Sequence, residues 1–79
     1  MDLLIISPEK ELLNVKDIDL VECEGIEGKF QILKNHADMF SLLKLGEVIY
    51  EKDNIKKKID LYVENAVLRV KDNQVTIIL

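Results

Sequence analysis

The run Ala66-Val67-Leu68-Arg69-Val70-Lys71-Asp72-Asn73-Gln74-Val75-Thr76-Ile77-Ile78-Leu79 reads as two β-rich segments, 66–70 and 75–79, joined by a tight turn. Asp and Asn accept the left-handed backbone that such a turn demands, so Lys71-Asp72-Asn73-Gln74 predicts a hairpin. Working backwards, Lys52-Asp53-Asn54 lies between Val48-Ile49-Tyr50 and the segment starting at Ile55, which gives a second hairpin signal. Within that segment Ile59, Leu61 and Val63 alternate with Lys58, Asp60 and Tyr62, the period of a strand with one buried and one wet face. Two hairpins in the C-terminal half predict an antiparallel sheet.

The N-terminal half follows the same pattern. Residues 3–7 read as a strand ended by Ser7-Pro8, because proline cannot donate to a ladder. Segments 11–15, 18–23 and 30–33 are further short strands, with Glu24-Gly25-Ile26-Glu27-Gly28 read as a glycine-spaced loop between the last two. Only 37–45, with Met39, Phe40, Leu42, Leu43 and Leu45 apolar, competes for helix, and it is too short to settle the matter. Many short strands spaced by turn signals predict an all-β fold, a small sandwich or barrel, filling one domain over residues 1–79.

Composition narrows the function classes. A chain of 79 residues buries only about 60% of the surface it exposes when unfolded, so its core is thin. Eleven basic against fifteen acidic residues give a net charge of −4, which disfavours nucleic acid, since that binding rests on neutralising phosphates. Lys56-Lys57-Lys58, flanked by Ile55 and Ile59, reads as a solvated strand face rather than an anion site. The single cysteine, Cys23, excludes an internal disulfide and fits a reducing compartment. No run reaches the roughly 18 apolar residues of a membrane-spanning helix, and Met1-Asp2-Leu3 lacks the basic start of a signal peptide. These features predict a soluble, intracellular protein.

Catalytic groups are sparse. His36 and Cys23 are the only members of their types, and Cys23 sits in a β-patterned run where a free cysteine behaves as a small core hydrophobe. His36-Ala37-Asp38 supplies two metal ligands at most, too few for a site. Glu22, Glu24 and Glu27 read as wet, ionised carboxylates, whereas acid–base work needs one held protonated. Gly25-x-x-Gly28 lacks the third glycine and the Lys-Ser/Thr of a phosphate loop. Neither a cofactor nor a metal is expected.

Residues 21–38, Val-Glu-Cys-Glu-Gly-Ile-Glu-Gly-Lys-Phe-Gln-Ile-Leu-Lys-Asn-His-Ala-Asp, resemble the epsilon subunit of F-type ATP synthases, whose pattern there is approximately V-x-L-P-G-x-E-G-E-F-G-I-L-P-G-H-A-P. Ile5-Ile6-Ser7-Pro8-Glu9-Lys10-Glu11-Leu12-Leu13 resembles the family's I-V-T-P-E-x-x-L-F, and the stretch from Leu68 to Ile77 resembles its L-E-V-x-x-N-x-V-T-V. The likeness covers the chain in order. It implies a flattened antiparallel β-sandwich of about ten short strands, and a non-catalytic subunit at the foot of the central stalk. Such a subunit binds the gamma subunit and the c-ring, and passes ring rotation, driven by protons or sodium, on to gamma. The same resemblance implies gamma contacts at Leu12, Leu13, His36, Ala37 and Phe40, and c-ring contacts at Glu24, Glu27, Gly28 and Lys29. Glu22, Glu24 and Glu27 then form a mobile acidic patch, while plain core packing competes with the interface role for Leu12, Leu13 and Phe40. It further implies a protein that is monomeric when isolated and peripheral to the cytoplasmic face of a bacterial inner membrane.

The sequence departs from the pattern at several glycines and prolines: Glu24, Asp38 and Leu45 replace prolines, and Gln31 replaces a glycine. Asn35 also stands where glycine is usual, a mild change because asparagine tolerates left-handed geometry. Most members continue as a helical hairpin, whereas this sequence stops at Leu79. Two other readings stand beside the coupler. One is a free-standing β-barrel binding module for a peptide or small ligand, which Phe30, Phe40, Tyr50 and Tyr62 would have to serve; the other is a small hydrolase or metal enzyme using Cys23, His36 and the glutamates.

Overall fold

The computed structural model describes residues 1–44, 46–61 and 65–79. Leu45, Tyr62 and Val63, placed above in an apolar window and an alternating strand, lie outside the described residues. Nine strands and no helix are found among the described residues: β1 Asp2–Ile6, β2 Glu11–Val15, β3 Leu20–Gly25, β4 Gly28–Leu33, β5 Met39–Leu43, β6 Gly46–Lys52, β7 Ile55–Leu61, β8 Ala66–Lys71 and β9 Gln74–Ile78. The undecided 37–45 window is therefore strand, fixed by the antiparallel pairing of β5 with β8, from Met39 opposite Val70 to Leu43 opposite Ala66.

Five strands in the order β2-β1-β9-β8-β5 form one layer. The second layer is β4-β3-β6-β7, and the two meet at the single pairing of Gly25 with Leu43. This makes a curled β-sandwich. All pairings are antiparallel except β1 with β9, which run parallel and bring the first and last strands side by side. Both Asp-Asn hairpin turns form as their chemistry predicts. Asp53 and Asn54 have φ of 52° and 64°, and Asp72 and Asn73 have φ of 49° and 62°.

Between the layers lies an apolar core. Leu3, Ile5, Leu68, Val70, Val75 and Ile77 point inward from the first layer, against Val21, Cys23, Ile32, Val48 and Tyr50 from the second. Ile18, just before β3, is also fully buried, its N–H bonded to the carbonyl of Met1 at 2.7 Å. The edges are blunted in different ways. β7 carries exposed Lys56, Lys57 and Lys58, as the solvated-face reading expects, and charged edges resist pairing with other chains. β2 carries a bulge: Ile5 pairs with Leu13 but Ile6 with Glu11, leaving Leu12 as the extra residue.

Candidate interaction surfaces

Residues 24–28 are not a loop with strands on either side. They are the end of a hairpin in which β3 and β4 pair continuously from Leu20–Leu33 to Gly25–Gly28, with Ile26 and Glu27 as its two-residue turn. Gly28 has φ of 129°, a left-handed conformation that only glycine takes without strain. Consequently Glu22 and Glu24 are strand residues, not parts of a mobile patch. They point away from the core because Val21, Cys23 and Gly25 take the inward positions. Glu22 accepts a hydrogen bond from Gln31 Nε2 at 3.1 Å. Glu24 lies so close to Gly46 that a Cβ there would fall 2.9 Å from its Oε2.

The four residues expected at the c-ring do come together. Glu24 and Lys29 are cross-strand partners, Gly25 and Gly28 close the ladder, and Glu27 projects into solvent at the tip. Glu24 and Lys29 also line a groove that crosses the outer face of the second layer to Glu47 and Asp60. Lys58 Nζ stands 2.7 Å from Glu47 Oε2, holding that carboxyl below its ordinary range. The result is a mainly acidic face with an exposed turn at one end.

The five residues expected at gamma are split. His36 and Ala37 are exposed in the crossover between β4 and β5, with His36 Nδ1 donating to the Ala37 carbonyl at 2.7 Å. Phe40, one turn of the zigzag further on, is 72% exposed and faces away from the core. Leu12 and Leu13 lie on β2, at the far edge of the same layer, with β1, β9 and β8 between. Four strand spacings make that separation about 19 Å. Leu13 packs against the core, as the packing reading held, whereas Leu12 in the bulge is 44% exposed.

What joins these two edges is a feature the sequence reading missed. Leu42 pairs with Val67, Val67 with Ile78 and Ile78 with Ile6, so a row of apolar residues crosses the outer face of the first layer towards the bulge at Leu12. Leu42 and Ile78 are 56% and 41% exposed. The signal was present: Leu3-Leu4-Ile5-Ile6, Val67-Leu68, Ile77-Ile78 and Leu42-Leu43 are apolar in both parities, where a sheet with one wet face alternates. The next row is mixed, running from Phe40 to Arg69 and Thr76, so the exposed apolar row is the candidate interaction feature of this face.

The structure separates the two groups that a Cys–His nucleophile would need. Cys23 is 1% exposed in the core and His36 is exposed in the crossover. Burial, and secondarily the charge of Glu22, pushes the Cys23 thiol up to about 12, so it is not ionised at neutral pH.

Comparison with known proteins gives a consistent result. The family model described as "ATP synthase, Delta/Epsilon chain, beta-sandwich domain" matches residues 1–79. The chain is 33% identical over 78 residues to the ATP synthase epsilon chain of Symbiobacterium thermophilum, covering 99% of this chain and 55% of that one. It is 37% identical over 78 residues to the ATP synthase epsilon chain of Leptospira borgpetersenii serovar Hardjo-bovis, covering 99% and 59%. The chain thus spans little more than half the length of these curated relatives. Among solved structures it resembles a chain in the cryo-EM structure of the Tetrahymena thermophila mitochondrial ATP synthase central stalk/c-ring, with a TM-score of 0.75, 17% identity, and coverage of 98% of this chain and 60% of that one. A chain in the Euglena gracilis mitochondrial ATP synthase gives a TM-score of 0.82 at 18% identity, over 96% and 48%. At such identities the structural likeness speaks for the fold.

Proposed function

The chain belongs to the ATP synthase delta/epsilon β-sandwich family, and from that premise we propose that it is a non-catalytic central-stalk subunit coupling c-ring rotation to the gamma subunit during proton- or sodium-driven ATP synthesis. The observation that carries the reading is the set of apolar residues Phe40, Leu42 and Ile78 exposed on the outer face of the five-stranded layer, on a domain whose core is already closed. Faces of this kind are buried in permanent subunit contacts, which are more hydrophobic than transient ones. Gamma is the partner proposed for it, through Phe40, His36 and Ala37 and along the apolar row to Leu12. Leu13 contributes indirectly, by packing beneath.

The acidic hairpin end, with Glu24, Glu27, Gly28 and Lys29, is the proposed contact for the polar loops of the c-ring. Charge there orients a contact and speeds encounter more than it tightens it. A stiff two-layer body with unlike surfaces suits a part that passes motion between two neighbours. On this reading the protein is peripheral to the cytoplasmic face of a bacterial inner membrane, held there by its partners, and monomeric when isolated.

Titration calorimetry against the gamma subunit from the same organism tests the proposal. One-to-one binding that Phe40→Asp weakens is expected. An absence of binding at micromolar concentrations would overturn it.

A further inference from the structure

Four backbone N–H groups in this molecule share an arrangement. Asp17, Asn35, Asp53 and Asp72 all have positive φ, and each donates its N–H to an Asp or Asn side chain from a distant segment. The acceptors are Asp2 Oδ1 at 3.1 Å, Asn73 Oδ1 at 2.8 Å, Asp19 Oδ2 at 3.2 Å and Asp38 Oδ1 at 3.1 Å, respectively. The turns at one end of the sandwich are thereby stitched to one another.

Segment 34–38, the crossover from the second layer to the first, is held most tightly. Asn35 donates to the Asn73 side chain, and Asp72 donates back to the Asp38 side chain, so the crossover and the β8–β9 turn exchange hydrogen bonds in both directions. Lys34 pairs with Asp19 at 2.7 Å, and the other oxygen of Asp19 takes the N–H of Asp53 in the β6–β7 turn. Lys34, Asn35 and Asp38 are thus fixed, and the exposed residues between them are His36 and Ala37.

We infer that Asn73 and Asp38 are positioning residues that hold His36 and Ala37 in the conformation the gamma subunit reads, an inference that rests on the coupler reading above. A segment ordered before binding does not incur that ordering cost on association, so loosening it weakens binding without removing a contact. Each stitch is exposed to solvent, and losing one lowers affinity by at most about fivefold, the whole net worth of a hydrogen bond.

Amide hydrogen exchange and gamma titration on the wild type, Asn73→Gly and Asn73→Asp test this. Glycine keeps the left-handed turn and removes the acceptor; aspartate keeps both. The glycine variant should exchange the Asn35 amide several-fold faster, keep the Leu68 and Ile77 amides the slowest of the chain, and bind gamma up to about fivefold more weakly. The aspartate variant should restore both. Should the glycine variant melt too low to assay, Asp38→Ala removes the reciprocal acceptor and is read by the Asp72 amide, which should exchange several-fold faster, and by gamma affinity. Unchanged Asn35 exchange, or faster exchange with wild-type affinity, overturns the positioning role alone. A wild type that does not bind gamma overturns the coupler reading and the positioning role with it.

Discussion

Lys34 Nζ stands 2.7 Å from Asp19 Oδ1, which pairs the first residue after β4 with the last residue before β3. Leu20 and Leu33 are the adjacent cross-strand partners, so the ion pair continues the β3–β4 ladder by one step through side chains. On the other side of β3, the Asp19 N–H donates to the Glu51 carbonyl at 2.8 Å. One residue therefore ties the start of β3 to β4, to β6 and, through Asp53, to the β6–β7 turn.

That arrangement predicts an acid response. Asp19 is held below its ordinary value of 3.8, first by Lys34 and then by the Asp53 N–H. Asp2 is held below 3.8 by the Asp17 N–H, and Glu47 below 4.5 by Lys58. A carboxylate lowered in the folded state favours folding above its unfolded pKa, and the advantage is lost as pH falls through the folded value. Melting temperature should hold from pH ~7 to pH ~5 and decline below pH ~4. Asp19→Asn should start slightly lower at neutral pH and decline less steeply. Melts at successive pH values measure it, and an unchanged acid slope in the variant would remove Asp19 from the response. Because these groups are exposed, added salt should flatten the effect. Lys34 is raised, so its share has the opposite sign and is lost only in strong alkali.

Cys23 should be chemically silent in the folded protein. With the thiol at about 12, its thiolate fraction at pH 8 is on the order of one in ten thousand. A thiol-exchange reagent should label the native chain no faster than global unfolding exposes the site, and promptly in strong denaturant. Immediate labelling of the native chain would contradict the buried position of Cys23.

These features differ in how far sequence could reveal them. The Asp53-Asn54 and Asp72-Asn73 turns were legible because positive φ has a local chemical signature. Glycine spacing misled at 24–28: Gly25 and Gly28 suggested a loop, but the alternation of Val21, Cys23 and Gly25 against Glu22 and Glu24 already described a strand. β5 was ambiguous because a five-residue element has little period of its own, and its pairing with β8 decided it. The stitches between turns were illegible in principle, since Asn35 and Asn73 lie 38 residues apart and each has a local role that explains its presence.

Phe40 and Leu68 should separate surface from core. Phe40 is 72% exposed, so Phe40→Asp should change stability by no more than about 0.5 kcal/mol while reducing gamma binding. Leu68 is fully buried, and Leu68→Ala should cost about 2–5 kcal/mol, comparable with the ~3–5 kcal/mol that a domain of this size commands. Urea titrations measure both. A Phe40→Asp variant as unstable as Leu68→Ala would show that the aromatic ring serves the fold.

Leu12 and Leu13 make the sharpest comparison, because adjacent and identical residues were assigned one role between them. The bulge parts them: Leu13 keeps its place opposite Ile5 and packs on the core, while Leu12 is the extra residue, unpaired with β1. Leu13→Ala should therefore cost about 1–2 kcal/mol, less than a fully buried leucine because Leu13 is only half-buried. Leu12→Ala should change stability by less than about 0.5 kcal/mol. Its effect should appear instead in gamma affinity, where the apolar row from Leu42 through Val67, Ile78 and Ile6 runs towards it. Chemical denaturation and calorimetry on the two variants decide the matter. If Leu12→Ala destabilises the chain as much as Leu13→Ala, the bulge is a packing device and the gamma surface stops short of β2. If Leu12→Ala leaves stability intact and weakens binding, the surface spans the whole five-stranded layer.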